Sequence, residues 1–197
     1  MITATSDYLK PISFLVVDER DYMRRVIKGI LETLGCKRVD EAKDGSKALS
    51  LMKNWAPDIV IAEWLLEPMS GLEMLKSVRA EKSNIRFTPI IMITSETRRE
   101  KVILARNAGV TEFVVKPFNA KRLIMRIKEV IERPRPFVDT SAYFGPDRRK
   151  RTEAVMKGKD KRGKGSPSPA HDQGDSKEAL TQEQIDKLVA GSEINKI

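Results

Sequence analysis

Short apolar runs alternate with amphipathic segments through the first 133 residues, and this alternation constrains the fold more than any other feature of the sequence. Short apolar runs suit strands that are buried on both faces of a parallel sheet. They lie at 12–17, 59–62, 90–93 and 113–115, with a weaker candidate around Val39. We therefore predict five strands.

Between these runs, apolar residues recur at steps of three and four, as they do along one face of a helix. The five segments lie at 23–34, 48–55, 72–78, 102–108 and 123–131. Strands that alternate with helices predict a doubly wound α/β fold, in which a five-stranded parallel sheet has right-handed crossovers and helices on both faces.

Charge and composition change after Arg133. Residues 1–133 contain 24 Lys and Arg against 18 Asp and Glu, residues 134–165 contain 10 against 4, and residues 166–197 contain 3 against 6. The region after Arg133 is also rich in proline and glycine and poor in apolar residues. We therefore predict one domain over 10–133, a basic and largely disordered linker over 134–179, and a short amphipathic helix over 180–191.

The residue inventory argues against several classes of function. A single cysteine, Cys36, excludes a disulfide framework and a cysteine-rich zinc site, and a single histidine, His171, excludes a multi-histidine metal centre. No apolar stretch approaches the roughly 18 residues of a membrane span, and the N-terminus lacks a signal-peptide core. We expect a cytoplasmic protein that is not an enzyme and does not insert into membranes.

Polar side chains stand where four of the predicted strands end. They are Asp18 and Glu19 after the first strand, Glu63 after the third, Thr94 and Ser95 after the fourth, and Lys116 after the fifth. The carboxyl ends of parallel strands meet at one edge of the sheet, where such folds bind ligands. Three carboxylates repel one another unless a cation intervenes, and oxygen ligands suit Mg²⁺. The pattern therefore predicts a weak Mg²⁺ site.

Seven segments together resemble the receiver domains of two-component response regulators, and those of chemotaxis regulators in particular. They are FLVVDE at 14–19, MRR at 23–25, PDIVIAE at 57–63, MSG at 69–71, ITS at 93–95, AGV at 108–110 and FVVKPF at 113–118. The resemblance covers about residues 10–133. It implies the strand order 2-1-3-4-5, which is an example that the general rule for doubly wound sheets itself uses.

The resemblance also implies roles for the strand-end residues. In that family an acidic pair holds Mg²⁺, and an aspartate on the third strand accepts a phosphoryl group from a histidine kinase. A threonine and a lysine bind the phosphoryl oxygens, and an aromatic side chain swings inward. These roles carry over to Asp18 and Glu19 as metal ligands and to Thr94, Lys116 and Phe113 as switch residues. The bond between Lys116 and Pro117 is then expected to be cis.

Glu63 departs from the family pattern, because it stands where the phosphoaccepting aspartate is expected. Its extra methylene moves the carboxylate about 1.5 Å further along, and phosphoryl transfer depends on positioning. Glu63 then either imitates the phosphorylated state or pairs with Lys116 and locks one conformation, while surviving phosphotransfer is a third alternative. We expect an adaptor that works without phosphorylation, in chemotaxis or flagellar motor control.

Residues 180–191 carry a complete helix signal. Thr181 and Gln184 form a capping box, and Gly191 can end the helix. An apolar set consists of Leu180, Ile185, Leu188 and Val189. This segment resembles the short N-terminal peptide of flagellar motor switch proteins, which activated chemotaxis regulators bind. It can pack on its own domain, bind another receiver or a second copy, or mark a flagellar switch protein as the partner.

The predicted linker contains aromatic residues beside an arginine cluster, with Tyr143 and Phe144 followed by Arg148, Arg149 and Arg151. Such a set can stack on bases and grip phosphates. It can equally lie on the receiver surface or attract acidic partners. A nucleic-acid or nucleotide-binding effector is therefore the alternative function, and a conventional phosphorylated regulator is another.

Overall fold

Five parallel strands form the central sheet of the computed structural model, which describes residues 9–141, 143–148 and 179–190. Their order across the sheet is β2-β1-β3-β4-β5, which confirms the predicted topology. The strands are β1 (Ser13–Val17), β2 (Arg38–Ala42), β3 (Ile59–Glu63), β4 (Ile90–Thr94) and β5 (Glu112–Val115). The weak apolar signal around Val39 has a simple cause, since β2 is an edge strand with alternating exposure.

Helices cover both faces of the sheet, as predicted. They are α1 (Asp21–Thr33), α2 (Gly45–Trp55), α3 (Gly71–Ala80), α4 (Arg99–Asn107) and α5 (Ala120–Glu132). Buried apolar residues of α1 and α5 share one core cluster, and those of α2, α3 and α4 share the other. None of the helices that the structure describes is both long and apolar enough to cross a membrane.

An antiparallel hairpin follows α5, where the sequence predicted a largely disordered linker. It consists of β6 (Phe137–Thr140) and β7 (Tyr143–Pro146). The rings of Phe87, Phe137 and Phe144 all contact one another, with distances of 5.4–5.5 Å between the ring centroids of each pair. The prediction is therefore wrong for this stretch, because three aromatic rings supply a small apolar cluster. Residues 149–178 of the predicted linker lie outside the described residues.

A sixth helix, α6 (Gln182–Val189), lies against α4 and β5. Both hydrogen bonds of the predicted capping box between Thr181 and Gln184 are present. Ile185, Leu188 and Val189 are buried. The tail helix is thus formed as predicted and packs on its own domain, while Gly191 lies outside the described residues.

The loop after β3 packs so closely that Gly71 should not tolerate a side chain. A Cβ at this position would lie 2.1 Å from the carbonyl oxygen of Glu63, whereas nothing lies within 4 Å of a Cβ built at Gly29 in α1. We expect Gly71→Ala to lower the free energy of unfolding by about 3 kcal/mol through overpacking. Gly29→Ala should raise it by about 0.5–1 kcal/mol, because alanine favours the helix. Urea denaturation measures both, and equal effects would contradict the close approach.

Candidate functional site

The carboxyl ends of β1, β3 and β5 bring two acids and a lysine together. Asp18 follows β1, Glu63 ends β3, and Lys116 follows β5. The ammonium of Lys116 donates to Oε2 of Glu63 and, at 3.2 Å, to Oδ2 of Asp18. The two carboxylate side chains are almost fully buried and that of Lys116 largely so. The topology explains why these side chains meet. The strands β1 and β3 are neighbours, and in a parallel sheet the carboxyl end of β5 lies on the same side as theirs.

Arg20 is a second cation in this site, and sequence reasoning did not single it out. Its Nε lies 3.2 Å from Oδ1 of Asp18, and its Nη2 lies 3.1 Å from Oε2 of Glu63. Its backbone N–H also donates to Oδ1 of Asp18 at 2.9 Å. The only available sequence signal was its place directly after the acidic pair. Arg20 and Lys116 therefore balance the two buried carboxylates.

Both oxygens of the Glu63 carboxylate are engaged. Oε1 accepts from the backbone N–H groups of Trp64 at 2.6 Å and of Leu65 at 3.2 Å. Oε2 accepts from Arg20 and Lys116. The side chain thus turns back onto its own following loop while it faces the lysine. Four donors fix the acid at the position where the family phosphoacceptor was expected.

Opposing effects set the pKa of Asp18. Burial disfavours its charged form, but hydrogen bonds from the side chain and backbone of Arg20 favour it, as do the charges of Lys116 and Arg20. The balance lowers the pKa of this carboxyl below its ordinary value. Asp18 is therefore an anion at neutral pH and holds both cations.

The other predicted site residues stand apart from this ion-pair cluster. Glu19 is exposed, and its carbonyl oxygen accepts from Arg24 at 3.2 Å. Thr94 is fully buried, and its hydroxyl accepts from the backbone N–H of Glu96 at 2.9 Å. The Phe113 ring is also buried, in the core cluster that contains residues of α4 and α6. The Lys116–Pro117 bond is cis, as predicted, and so is Glu67–Pro68.

A cavity of about 780 Å³ opens beside the cluster. Its polar wall contains Glu19, Arg20, Glu63 and Lys116, while residues of α1 such as Val26 supply an apolar wall. The site is thus reachable from solvent through the space between α1 and the loop after β5.

The donors present do not fit a Mg²⁺ ion well. Mg²⁺ binds carboxylate oxygens directly and demands near-octahedral geometry. Here Arg20 and Lys116 contact the carboxylates of Asp18 and Glu63. Within the described ranges, no group of three or more His, Cys, Asp or Glu side chains is arranged to hold a metal. The predicted metal ligands Asp18 and Glu19 therefore do not form an open carboxylate cluster.

The predicted anion-binding arginines fall partly within the structure. The guanidinium of Arg148 lies 3.6 Å from the Tyr143 ring centroid, and its Nη1 donates to Asn107 at 2.9 Å. Arg149 and Arg151 lie outside the described residues. Arg148 is thus packed against the hairpin, as the alternative of a place on the receiver surface implied.

Comparison with known proteins identifies the matching family. Its model, described as the response regulator receiver domain, matches residues 14–128. Chemotaxis protein CheY-3 of Vibrio cholerae is 38% identical over 124 residues, which are 63% of this chain and 95% of that protein. Chemotaxis protein CheY of Pseudomonas aeruginosa is 37% identical over 122 residues, 62% of this chain and 98% of that protein. The solved structure of Vibrio cholerae CheY4 covers 60% of this chain and 98% of its own, with 34% identity and a TM-score of 0.57.

Lys116 should be essential for burying the two acids. We expect Lys116→Met to lower the free energy of unfolding at neutral pH by about 3 kcal/mol, because it leaves buried charge uncompensated. Lys121→Met on the exposed side of α5 is the matched control and should have little effect. Urea denaturation measures both, and equal losses would contradict the role of the ion pair.

The penalty of Lys116→Met should also depend on pH. A depressed pKa in the folded state means that Asp18 stabilises the protein above its ordinary pKa of 3.8, and that this contribution is lost as the pH falls through the folded value. The difference between Lys116→Met and the wild type should therefore shrink as the pH falls below this ordinary value. A constant difference from neutral to acid pH would contradict the electrostatic origin.

Arg20 should compete with a divalent cation for Asp18 and Glu63. Removing a positive charge a few ångströms from two carboxylates should favour a metal there. We expect Arg20→Ala to raise the affinity for Mg²⁺ by at least about tenfold, about 1.4 kcal/mol, measured by titration calorimetry. Arg25→Ala, which removes an exposed arginine paired with Asp21, is the control. Unchanged affinity in Arg20→Ala would contradict the competition.

Proposed function

The chain belongs to the response regulator receiver family, and on that premise we propose that it acts as a phosphorylation-independent adaptor in chemotaxis or flagellar motor control. Two-component signalling and chemotaxis are the setting of its relatives, since those with the similarities above are named chemotaxis proteins. The adaptor role is specific to this chain and follows from Glu63, which stands at the position of the phosphoaccepting aspartate.

One observation carries the proposal, namely the engagement of both Glu63 oxygens. Phosphoryl transfer needs an acceptor oxygen in line with the donor phosphorus, and its rate depends on positioning and charge stabilisation. Two backbone N–H groups hold Oε1 of Glu63, and two cations hold Oε2. An incoming phosphoryl group would have to displace Arg20 or Lys116. The site is therefore suited to hold a permanent charge and unsuited to accept a transient one.

The direct ion pair favours a fixed conformation. Lys116 is the cation expected to meet a phosphoryl group, and Glu63 already supplies it with an anion. Phe113, on the strand that precedes Lys116, is already buried. The hydroxyl of Thr94 is bonded to its own loop instead of to the charged cluster. We take the Glu63–Lys116 pair as a lock, in which the domain presents one binding surface without a chemical switch.

Metal dependence distinguishes this adaptor from an ordinary receiver. Receiver domains of this type generally bind Mg²⁺. In this chain Arg20 and Lys116 take over the neutralisation of Asp18 and Glu63. The adaptor form therefore does not require a metal to hold its strand ends together.

The proposed partners are signalling proteins that contact the surface of the domain, such as a flagellar switch protein or another receiver.

A labelling experiment tests the proposal. The full-length protein is incubated with Mg²⁺ and a radiolabelled small phosphodonor such as acetyl phosphate. We expect no stable label on the wild type, because four donors hold the two carboxylate oxygens of Glu63. Acid precipitation and scintillation counting measure the incorporation, and a receiver domain with an aspartate at the acceptor position serves as the positive control.

Two variants sharpen the result. Glu63→Asp shortens the side chain, frees the space near Lys116 and should permit incorporation where the wild type shows none. Glu63→Gln should remain unlabelled. Stable label on the wild type that disappears in Glu63→Gln would refute the adaptor proposal and identify a conventional phosphorylated regulator.

A further inference from the structure

The segment from Ala179 to Ala190 occupies a composite surface formed by α4, β5 and α5. Its first part follows the loop between β4 and α4, since the backbone N–H of Leu180 donates to the carbonyl oxygen of Thr97 at 2.9 Å and Ala179 forms an isolated bridge with Arg98. The helix α6 then packs against α4 and β5. We call this composite surface the α6 face.

Gln182 satisfies the open edge of β5. Its side-chain Nε2 donates to the carbonyl oxygen of Phe113 at 3.1 Å, and its Oε1 accepts from the backbone N–H of Val115 at 2.7 Å. Residues two apart on a strand direct their backbone groups to the same edge. One amide therefore does for β5 what a peptide group of a sixth strand would do. The side-chain amide of glutamine or asparagine offers a donor and an acceptor side by side, as a peptide group does.

Charge and apolar contacts complete the attachment. Asp186, one turn after Gln182, pairs with Arg126 of α5, which also lies 3.6 Å from Glu112. Arg135 donates to the carbonyl oxygen of Val189 at 3.3 Å, near the end of the helix. The apolar stripe of α6 is buried in the same core cluster as residues of α4; the stripe consists of Ile185, Leu188 and Val189. Recognition thus combines an amide, an acid and an apolar stripe.

The receiver fold is complete without α6. The family model ends at residue 128, and the chemotaxis relatives are covered over 95% or more of their length by 124 or fewer residues of this chain. The helix is also self-contained, since its capping box and the ion pair between Glu183 and Lys187 lie within the segment. These features are those of a bound peptide that the chain itself supplies.

We propose that residues 179–190 are a tethered ligand that occupies the α6 face in cis and competes with an external partner for it. The external ligand is a short helical peptide with the same pattern, in which glutamine pairs with β5 and an acid one turn later pairs with Arg126. Its apolar residues follow the positions of Ile185, Leu188 and Val189. This names the partner class of the proposed adaptor and rests on that function, although none of these contacts involves Glu63.

Simple arithmetic favours the intramolecular arrangement over exchange between two copies. Thirty residues separate Arg148 from Ala179, enough for a reach of up to ~100 Å at ~3.4 Å per residue. A tether of this kind gives an effective concentration approaching the millimolar range. A second copy of the chain at micromolar concentration supplies its helix at a concentration far below this effective value. For a peptide affinity near 10 μM, the tethered helix should weaken external binding by roughly 10- to 100-fold.

Peptide competition on the full-length chain tests the proposal. The probe is a fluorescein-labelled peptide of residues 176–197, and its anisotropy is measured against wild type, Ile185→Asp and Glu183→Gln. Ile185 is fully buried and Glu183 is exposed on the same helix. We expect Ile185→Asp to bind the probe at least tenfold more tightly than the wild type, because an acid in the apolar stripe releases the tethered helix. Glu183→Gln should behave as the wild type.

A probe that carries Gln182→Glu checks that binding occurs at the α6 face. The carboxylate can accept from Val115 but cannot donate to Phe113, so the affinity of this probe for Ile185→Asp should fall at least tenfold. Full-length Gln182→Glu is a milder second variant that should also open the face to the wild-type probe. Its folded state is verified by circular dichroism and thermal denaturation before titration.

Several results would overturn the inference. Equal probe affinities of the wild type, Ile185→Asp and Gln182→Glu would show that the helix does not compete. Loss of the folded receiver in both variants would make α6 a structural element instead of a ligand. A dimer of the wild type in light scattering at micromolar concentration, absent in Ile185→Asp, would assign the helix to a second copy. Each of these outcomes leaves the phosphodonor test on Glu63 independent.

Discussion

Neutralisation of two buried carboxylates is the interaction on which this domain depends. Burying one unpaired charge costs several kcal/mol, and a buried pair holds only when its geometry and hydrogen bonds compensate that cost. Asp18 and Glu63 lie side by side because β1 and β3 are neighbours. Their negative charges repel each other, which makes burial of both more costly. Lys116 bridges the two, and Arg20 binds them from the solvent side. Two covalently attached cations thus supply the countercharge of these carboxylates.

The change of chemistry proposed for Glu63 leaves the fold intact. The alternation of buried strands and amphipathic helices does not depend on the length of the side chain at position 63. The strand β3, which this residue ends, is buried throughout. The extra methylene of Glu63 lets its carboxylate reach Lys116 while Oε1 folds back onto the N–H groups of Trp64 and Leu65.

Sequence patterns predicted the strands and helices, because local periodicity and burial agree throughout residues 10–133, and the resemblance to receiver domains supplied the strand order. They predicted the convergence of Asp18, Glu63 and Lys116 for the same reason, since topology alone brings strand ends together. They missed Arg20, whose role depends on the direction of a long side chain. They also missed the hairpin after α5, which depends on Phe137 and Phe144 meeting Phe87 from a distant part of the chain. The position of α6 stayed open, because a capped amphipathic helix specifies its own structure but not the surface that receives it.

The two edges of the sheet show how this chain controls the groups that edge strands leave unpaired. Exposed strand edges invite pairing with other chains and are usually blocked by charge or by a covering element. On β2 the outward side chains are polar, with Arg38 and Asp40 exposed and Glu41 paired to α1 through Arg24 and Lys28. On β5 the open backbone groups belong to the apolar residues Phe113 and Val115, and Gln182 supplies the missing hydrogen bonds. An edge that carries charge discourages pairing, whereas an apolar edge with open backbone groups invites it. The construction of β5 therefore accounts for both the docking of α6 and the kind of peptide that can take its place.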